Sequence, residues 1–386
     1  MTGSEQDRSS GISATGALIL SGGGARGAYQ AGVLMRIAED VGKDSPFQVI
    51  TGVSAGGINA AALAGHRGSF RHATRDLCAA WLRLSTDKVF KANFTSLTES
   101  GLQWLWTLLT GGITLGFEVQ GLLDTAPLCR YLSKRLDMEG IQANLSAGRL
   151  KALGLTATSY STGETVTFVH GRPDSTLWQR AGRRAVRATI RLDHVMASAA
   201  LPLVFPAVRI ANDFYGDGSI RQTSPLAPAV HLGAGRLLTI SARYPRTEAE
   251  KAERQVSGYP PPAQILGMLM HSVFLDALEN DAERLERINR TLTLLPPETS
   301  HPEGLRPIRL LVLRPSRDLG KLSVGLLKHL PRPVRILTRG LGASRTTTPD
   351  FLSYLLFERS FIERLIELGY QDAYARRDEI ARFLEE

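Results

Sequence analysis

The chain has 386 residues, of which 43% are hydrophobic and 22% charged, with a net charge of +9. That balance excludes a disordered or fibrous protein and leaves room for one large α/β domain or two modest ones. The positive excess suits an anionic membrane surface, while no nucleic-acid motif accompanies it, so no nucleic-acid partner is expected.

Residues 1–14 are polar and read as a disordered tail. ALIL at 17–20 is too short for a secretory signal and stops at glycines, as a buried strand would. From Gly27 to Asp40 the spacing of Tyr29, Val33, Leu34 and Ile37 predicts a helix. PFQVITG predicts a second strand, the Ala-rich run Ile58–Ala64 a helix, and Thr74–Leu84 another helix. Residues 85–121 read as an apolar excursion or lid. Within it Gly101–Phe117 is uncharged, but too short and too often interrupted for a membrane span.

Helix signals resume at Asp124 and Pro127. Leu153–Thr158 and Thr165–Val169 predict strands, His194–Ala200 a helix, Val208–Tyr215 one strand, Pro225–Leu232 a short helix and Arg236–Ser241 a strand. This alternation predicts an α/β sheet that is largely parallel. From 244 to 386 the chain turns mostly helical, with one strand-like run at 308–313 and no interpretable motif. Basic residues cluster at Arg180–Arg191 and, in the last third, at Arg314, Arg317, Lys321, Lys328, Arg332, Arg335 and Arg339.

The two cysteines, Cys78 and Cys129, form neither a disulfide framework nor a zinc pattern and read as small core residues. No metal and no cofactor are expected, and a cytoplasmic location with membrane association is the expectation.

Three segments carry chemistry. GVSAG, Gly52–Gly56, is a G-x-S-x-G pattern between a predicted strand and a predicted helix. That pattern sets a serine on a sharp turn, with Gly52 and Gly56 allowing the chain to approach itself, and makes Ser54 a candidate nucleophile. GGGARG, Gly22–Gly27, also follows a strand and opens a helix. A dinucleotide loop would need an acid at the end of the next strand, and Thr51, Gly52 and Ser54 stand there instead. The same cluster of N–H groups can receive an oxyanion. A base is still required. His170, His194, His231, His271, His301 and His329 all follow Ser54, and His194 in RLDHVMAS is the most tempting of them. The other candidate is Asp217 in YGDGS, at the end of an apolar run and before Gly218, where an ordinary turn is the alternative.

In this order, strand–GGGxRG–helix, then G-x-S-x-G, then a late Asp-Gly, the chain resembles the patatin-like phospholipases over roughly Ala17–Ala242. LLDTAPL (122–128) and MASAALPLVFPAV (196–208) resemble family segments too. The resemblance implies a three-layer α/β/α patatin-like fold with a catalytic domain over 15–243 and a helical C-terminal extension over 244–386. It implies a Ser54–Asp217 dyad without histidine, an oxyanion hole at Gly22, Gly23 and Gly24, and Arg26 in the family's basic position. Gly27, Gly52, Gly56 and Gly218 are supporting residues. The implied activity is hydrolysis of lipid carboxylic esters, of the phospholipase A or lysophospholipase kind. An acyltransferase or thioesterase with the same dyad, and a non-catalytic lipid-binding protein, are the alternatives. One departure stands out. The family reads Asp-Gly-Gly or Asp-Gly-Ala, and here Ser219 follows Asp217-Gly218. Its hydroxyl could bond to Asp217 and alter the carboxylate's basicity.

Overall fold

The computed structural model describes residues 15–91, 121, 123–252, 259–296, 305–326, 330, 332, 335–336 and 350–385. The N-terminal tail, nearly all of the predicted lid, and Lys328 and Arg339 lie outside the described residues.

One sheet organises the molecule. Its strands are β1 (Gly16–Leu20), β2 (Val49–Val53), β3 (Ala152–Ser159), β4 (Thr165–Gly171), β5 (Gln179–Arg180), β6 (Arg183–Arg187), β7 (Val208–Ile210), β8 (Asp213–Asp217), β9 (Arg236–Ile240) and β10 (Arg309–Leu313). The order β10-β9-β1-β2-β3 is parallel throughout. β4 pairs antiparallel to the far side of β3, and β6 and β5 continue beyond it. The predicted α/β architecture with a largely parallel sheet is therefore present, and β10 extends that sheet from the C-terminal third.

Parallel strands buried on both faces are continuous apolar runs, as GALIL is here. Leu18 and Leu20 face a layer that includes α1 (Gly27–Val41) and the helix Arg359–Ala375. Ala17, Ile19 and Val49 face the opposite layer, with Leu226, Leu278, Ala282 and Leu285. The result is three layers, α/β/α. Each fully buried leucine or isoleucine in them is worth about 1.5–3 kcal/mol.

α1 begins at Gly27 and stops at Gly42, whose φ of 90° is left-handed. The helix Arg359–Ala375 lies against it, with Ile366 backbone against Gly32 and Tyr29 backbone against Gly369. A side chain at either glycine would separate the two helices. α2 (Ala55–Gly65) starts three residues before the predicted Ile58, directly after Ser54. α3 (Phe70–Arg83) is capped by Ser69, whose hydroxyl accepts from the His72 N–H.

One prediction is corrected. Val208–Tyr215 is not a single strand but the hairpin β7–β8, turning at Ala211 with φ 53°. The turn is Ala211-Asn212, and with no Gly or Pro its one local signal is Asn212-Asp213.

Candidate active site

Strand topology brings Ser54 and Asp217 together. β2 runs up one edge of β3 and ends with Val53 opposite Thr156. β8 runs the other way along β3 and ends with Asp217 opposite Ala157. The two strands therefore arrive head-on at adjacent positions of one neighbour. Each turns away there, one into Ser54 and α2, the other into Gly218.

Ser54 sits on the turn with φ 57° and ψ −131°, a backbone state that costs a non-glycine residue on the order of 1–3 kcal/mol. Its surroundings hold it there. The Ser54 N–H donates to the carbonyl and the hydroxyl of Ser198, both at 3.1 Å. The Ser198 hydroxyl in turn donates to the Thr156 carbonyl at 2.7 Å. Gly56 meets the backbone of Leu20 and Ser21, and Gly52 meets that of Gly56, contacts that no side chain would permit.

Asp217 is completely buried. Its N–H donates to the Ala200 carbonyl at 2.9 Å, its carbonyl accepts from Thr158 Oγ1 at 2.9 Å, and its Oδ1 accepts from the Ser219 N–H at 2.9 Å. Burial pushes the carboxyl pKa up from its ordinary value to about 6, while the Ser54 hydroxyl and then Ser219, through its N–H and its hydroxyl, pull it back. Neither hydroxyl closes a well-aligned hydrogen bond, since Asp217 Oδ2 and Ser219 Oγ are both buried without a partner. Ser219 thus touches the carboxylate first through its backbone. Gly218 packs on the Thr156 backbone, which leaves no room for a side chain.

The glycine loop completes the arrangement. It follows β1, next to β2, so both loops emerge at the same end of the sheet. A Cβ on Gly22 would lie 3.1 Å from Ser54 Cβ and 2.8 Å from Ser219 Oγ. Among the described residues no acceptor takes up the N–H groups of Gly22, Gly23 or Gly24. Gly27 at the start of α1 touches Ala55 at the start of α2, so two helix N-termini converge beside Ser54. Free N–H groups and two positive helix ends together suit an oxyanion.

Arg26 is turned elsewhere. It is buried, its Nε donates to Ser353 Oγ at 2.8 Å, and its guanidinium lies 4.3 Å from the centre of the Tyr354 ring. Sequence reasoning placed Arg26 but missed its partners, and it also missed Ser198 as the brace of the turn. The only local sign of Ser198 was its place in MASAALPL.

Three of the candidate histidines, His194, His170 and His231, are engaged elsewhere, and His301 and His329 lie outside the described residues. His194 Nδ1 accepts from the Arg191 N–H, and its ring stands edge-on to Phe168. His170 accepts from the Ile190 N–H and meets Gln142. Burial lowers the pKa of both. His231 stacks on Trp178. Cys78 is buried, its thiol pushed up to about 12 by desolvation, and its Sγ donates to the Ala31 carbonyl. Among the described residues no three His, Cys, Asp or Glu side chains come together as a metal site.

A narrow apolar cavity of about 40 Å³ opens beside Ser54. Gly24, Ile58, Trp81, Leu128 and Phe205 line it, together with Tyr354, Leu355 and Phe357 from the C-terminal third.

Comparison with known proteins agrees with the motif order. No curated protein sequence matches the chain. Among solved structures, VipD from Legionella pneumophila is 13% identical, with 95% of this chain and 67% of that one covered and a TM-score of 0.37. Human GIVD cytosolic phospholipase A2 is 12% identical, with 96% and 60% covered and a TM-score of 0.43. ExoU in the ExoU–SpcU complex from Pseudomonas aeruginosa is 16% identical, with 89% and 68% covered and a TM-score of 0.30. This chain thus spans about three fifths of the human protein's length. At such scores the likenesses are distant and say nothing about chemistry. The family profile described as patatin-like phospholipase matches residues 18–230, more than half of the chain, and takes in the glycine loop, GVSAG and Asp217-Gly218. The chain belongs to the patatin-like phospholipase family.

Proposed function

We propose that this protein hydrolyses carboxylic esters of lipids with Ser54 as nucleophile and Asp217 as base. The observation that carries the reading is the buried Asp217 carboxylate, held by Oδ1 and left with Oδ2 unpartnered, beside a serine on a strained turn. A fold kept only for binding would have no reason to retain an uncompensated buried carboxylate.

In this reaction Ser54 Oγ attacks the ester carbonyl while its proton passes to Asp217. An aspartate is a far weaker base than a serine alkoxide even with its pKa pushed up to about 6, so proton transfer accompanies attack. The N–H groups of Gly22, Gly23 and Gly24 receive the developing oxyanion, each such donor being worth about 3–4 kcal/mol. Asp217 returns the proton to the leaving alcohol. Water then attacks the acyl-serine and gives a proton to Asp217, which hands it to Ser54 Oγ as the carboxylic acid leaves. Every proton passes through one carboxylate, and no step requires a histidine.

The experiment is mass spectrometry of products from a mixed panel of phospholipids and neutral lipids. Wild type is expected to release fatty acid, and Ser54→Ala to release none while melting at the same temperature. Release by Ser54→Ala at the wild-type rate would remove Ser54 from the mechanism. Adding glycerol or a lysolipid tests the transferase alternative, because acylated acceptor in place of free acid would make the protein a transferase with the same dyad.

Peripheral contact with an anionic bilayer is part of the same proposal. Among the described residues no helix is long and apolar enough to cross a membrane. Leu203, Met268 and Leu269 are exposed apolar side chains that such a surface could take up. The basic runs contribute less than their number suggests. Arg187 donates to the carbonyls of Arg172, Pro173 and Ser175, Arg184 pairs with Glu164, and Arg314 holds Glu279 with two hydrogen bonds. Flotation with anionic liposomes at low salt is expected to carry the protein upward, and at 0.5–1 M salt to leave it behind, since roughly 3 Å screening lengths remove surface attraction near 1 M. Absence of binding at low salt would dismiss the membrane contact.

A further inference from the structure

The cavity beside Ser54 is walled on one side by residues that the family profile does not reach. That profile ends at residue 230, whereas Tyr354, Leu355 and Phe357 come more than a hundred residues later. All three are buried. The segment is tied directly to the glycine loop. Arg26 Nε donates to Ser353 Oγ, the Arg26 guanidinium covers the Tyr354 ring, and the Tyr354 carbonyl packs where Gly24 has no side chain. Wall and glycine loop are therefore in direct contact.

We propose that the arm Ser353–Phe357 sets the acyl-chain preference of the site, Phe357 and Leu355 disfavouring long chains relative to short ones without excluding them. This rests on the hydrolase reading of Ser54 and goes beyond it. The lining is almost wholly apolar and includes Ser54, so an occupant joined to Ser54 Oγ through its carbonyl would extend as a hydrocarbon tail. The space is narrow, about 40 Å³, against the roughly 10–15 Å³ needed to admit a single water, so the first few methylene groups of a chain fill it. A longer chain meets Phe357, Leu355 and Phe205, which are packed in the core and do not yield without cost. Arg26 acts here as a positioning residue, because it touches the arm and not the reacting atoms.

The test uses the full chain, p-nitrophenyl esters from two to sixteen carbons, and a fluorophosphonate probe that labels an activated serine whatever the ester preference. Wild type is expected to label at Ser54 and to show its highest kcat/KM in the short half of the series. Phe357→Ala is expected still to label at Ser54 and to raise the ratio of twelve-carbon to four-carbon kcat/KM on the order of tenfold or more, the scale on which pocket size discriminates by methylene groups. Should Phe357→Ala melt before assay, Phe357→Leu is the milder enlargement and should move the ratio in the same direction. Ser353→Ala loosens the arm without enlarging the cavity, and should broaden the profile while leaving its optimum in place. An unlabelled wild type without ester turnover would overturn the hydrolase reading itself. A labelled wild type that prefers long chains, or a labelled Phe357→Ala and Phe357→Leu pair with the wild-type profile, would overturn the chain-length assignment alone.

Discussion

Asp217→Asn should cost about 10²–10⁴-fold in kcat, in line with loss of a positioned general base, and at the same time make the folded protein more stable at pH 8. The two effects share one cause. The carboxyl pKa is about 6 in the folded chain against an ordinary 3.8, so the unfolded chain gives up this proton more readily. Stability from this group is therefore lost as pH rises from about 4 to about 6, and the full penalty is carried above 6. A difference of about two pKa units sets an upper bound of about 3 kcal/mol. Asparagine is neutral and nearly the same shape. Its oxygen can keep the Ser219 N–H, and its amide can donate to the Ser219 hydroxyl, so two atoms that are now buried and unpartnered would both be satisfied. Melting curves at pH 8 and pH 5 should show the variant about 1–3 kcal/mol ahead at pH 8 and the gap closing at pH 5. Wild-type kcat/KM should climb with pH through about 6, where the base ionises, and then level off. A variant less stable than wild type at pH 8, or an activity that is flat from pH 4.5 to 8, would remove Asp217 as the titrating base.

How much of this could be read from the chain depends on whether the determinant is local. GVSAG was legible because a strand-to-helix turn imposes glycines at fixed offsets, and the close contacts of Gly52 and Gly56 are those offsets at work. Asp217 was legible only as an Asp-Gly at a strand end. What selects it over His194 is its place on the edge of β3, opposite Ala157, and no window of sequence contains that pairing. The β7–β8 hairpin was missed because the left-handed position falls on Ala211 and the only turn signal is the neighbouring Asn212-Asp213. The C-terminal arm was illegible for a simpler reason. Arg26 and Ser353 are 327 residues apart, and although Arg26 sits in GGGARG nothing around Ser353 marks it as the partner. The same holds for Gly24, whose meaning is shared between the turn it makes and the carbonyl that packs on it.

Gly24→Ala is accordingly expected to damage catalysis far more than its size suggests. Gly24 has φ 55°, and an L-residue there costs about 1–2 kcal/mol. The added methyl would also fall on the Tyr354 carbonyl, which is backbone and cannot rotate aside. Relief requires either the glycine loop or the arm to shift. A loop shift moves the N–H groups away from the oxyanion position, and losing one such donor lowers kcat about 10²–10³-fold. KM should change little, because the donors act on charge that develops only in the transition state. Gly42→Ala is the control that separates strain from position. Gly42 has φ 90° with nothing within 4 Å of its missing Cβ, and it ends α1 at the helix terminus remote from the loop. It carries backbone strain of its own with no contact to displace, so its kcat should match wild type while its melting temperature falls. If Gly24→Ala also kept wild-type kcat, the loop N–H groups would not be the oxyanion donors, and the charge on the tetrahedral intermediate would have to be met from the α2 N-terminus alone.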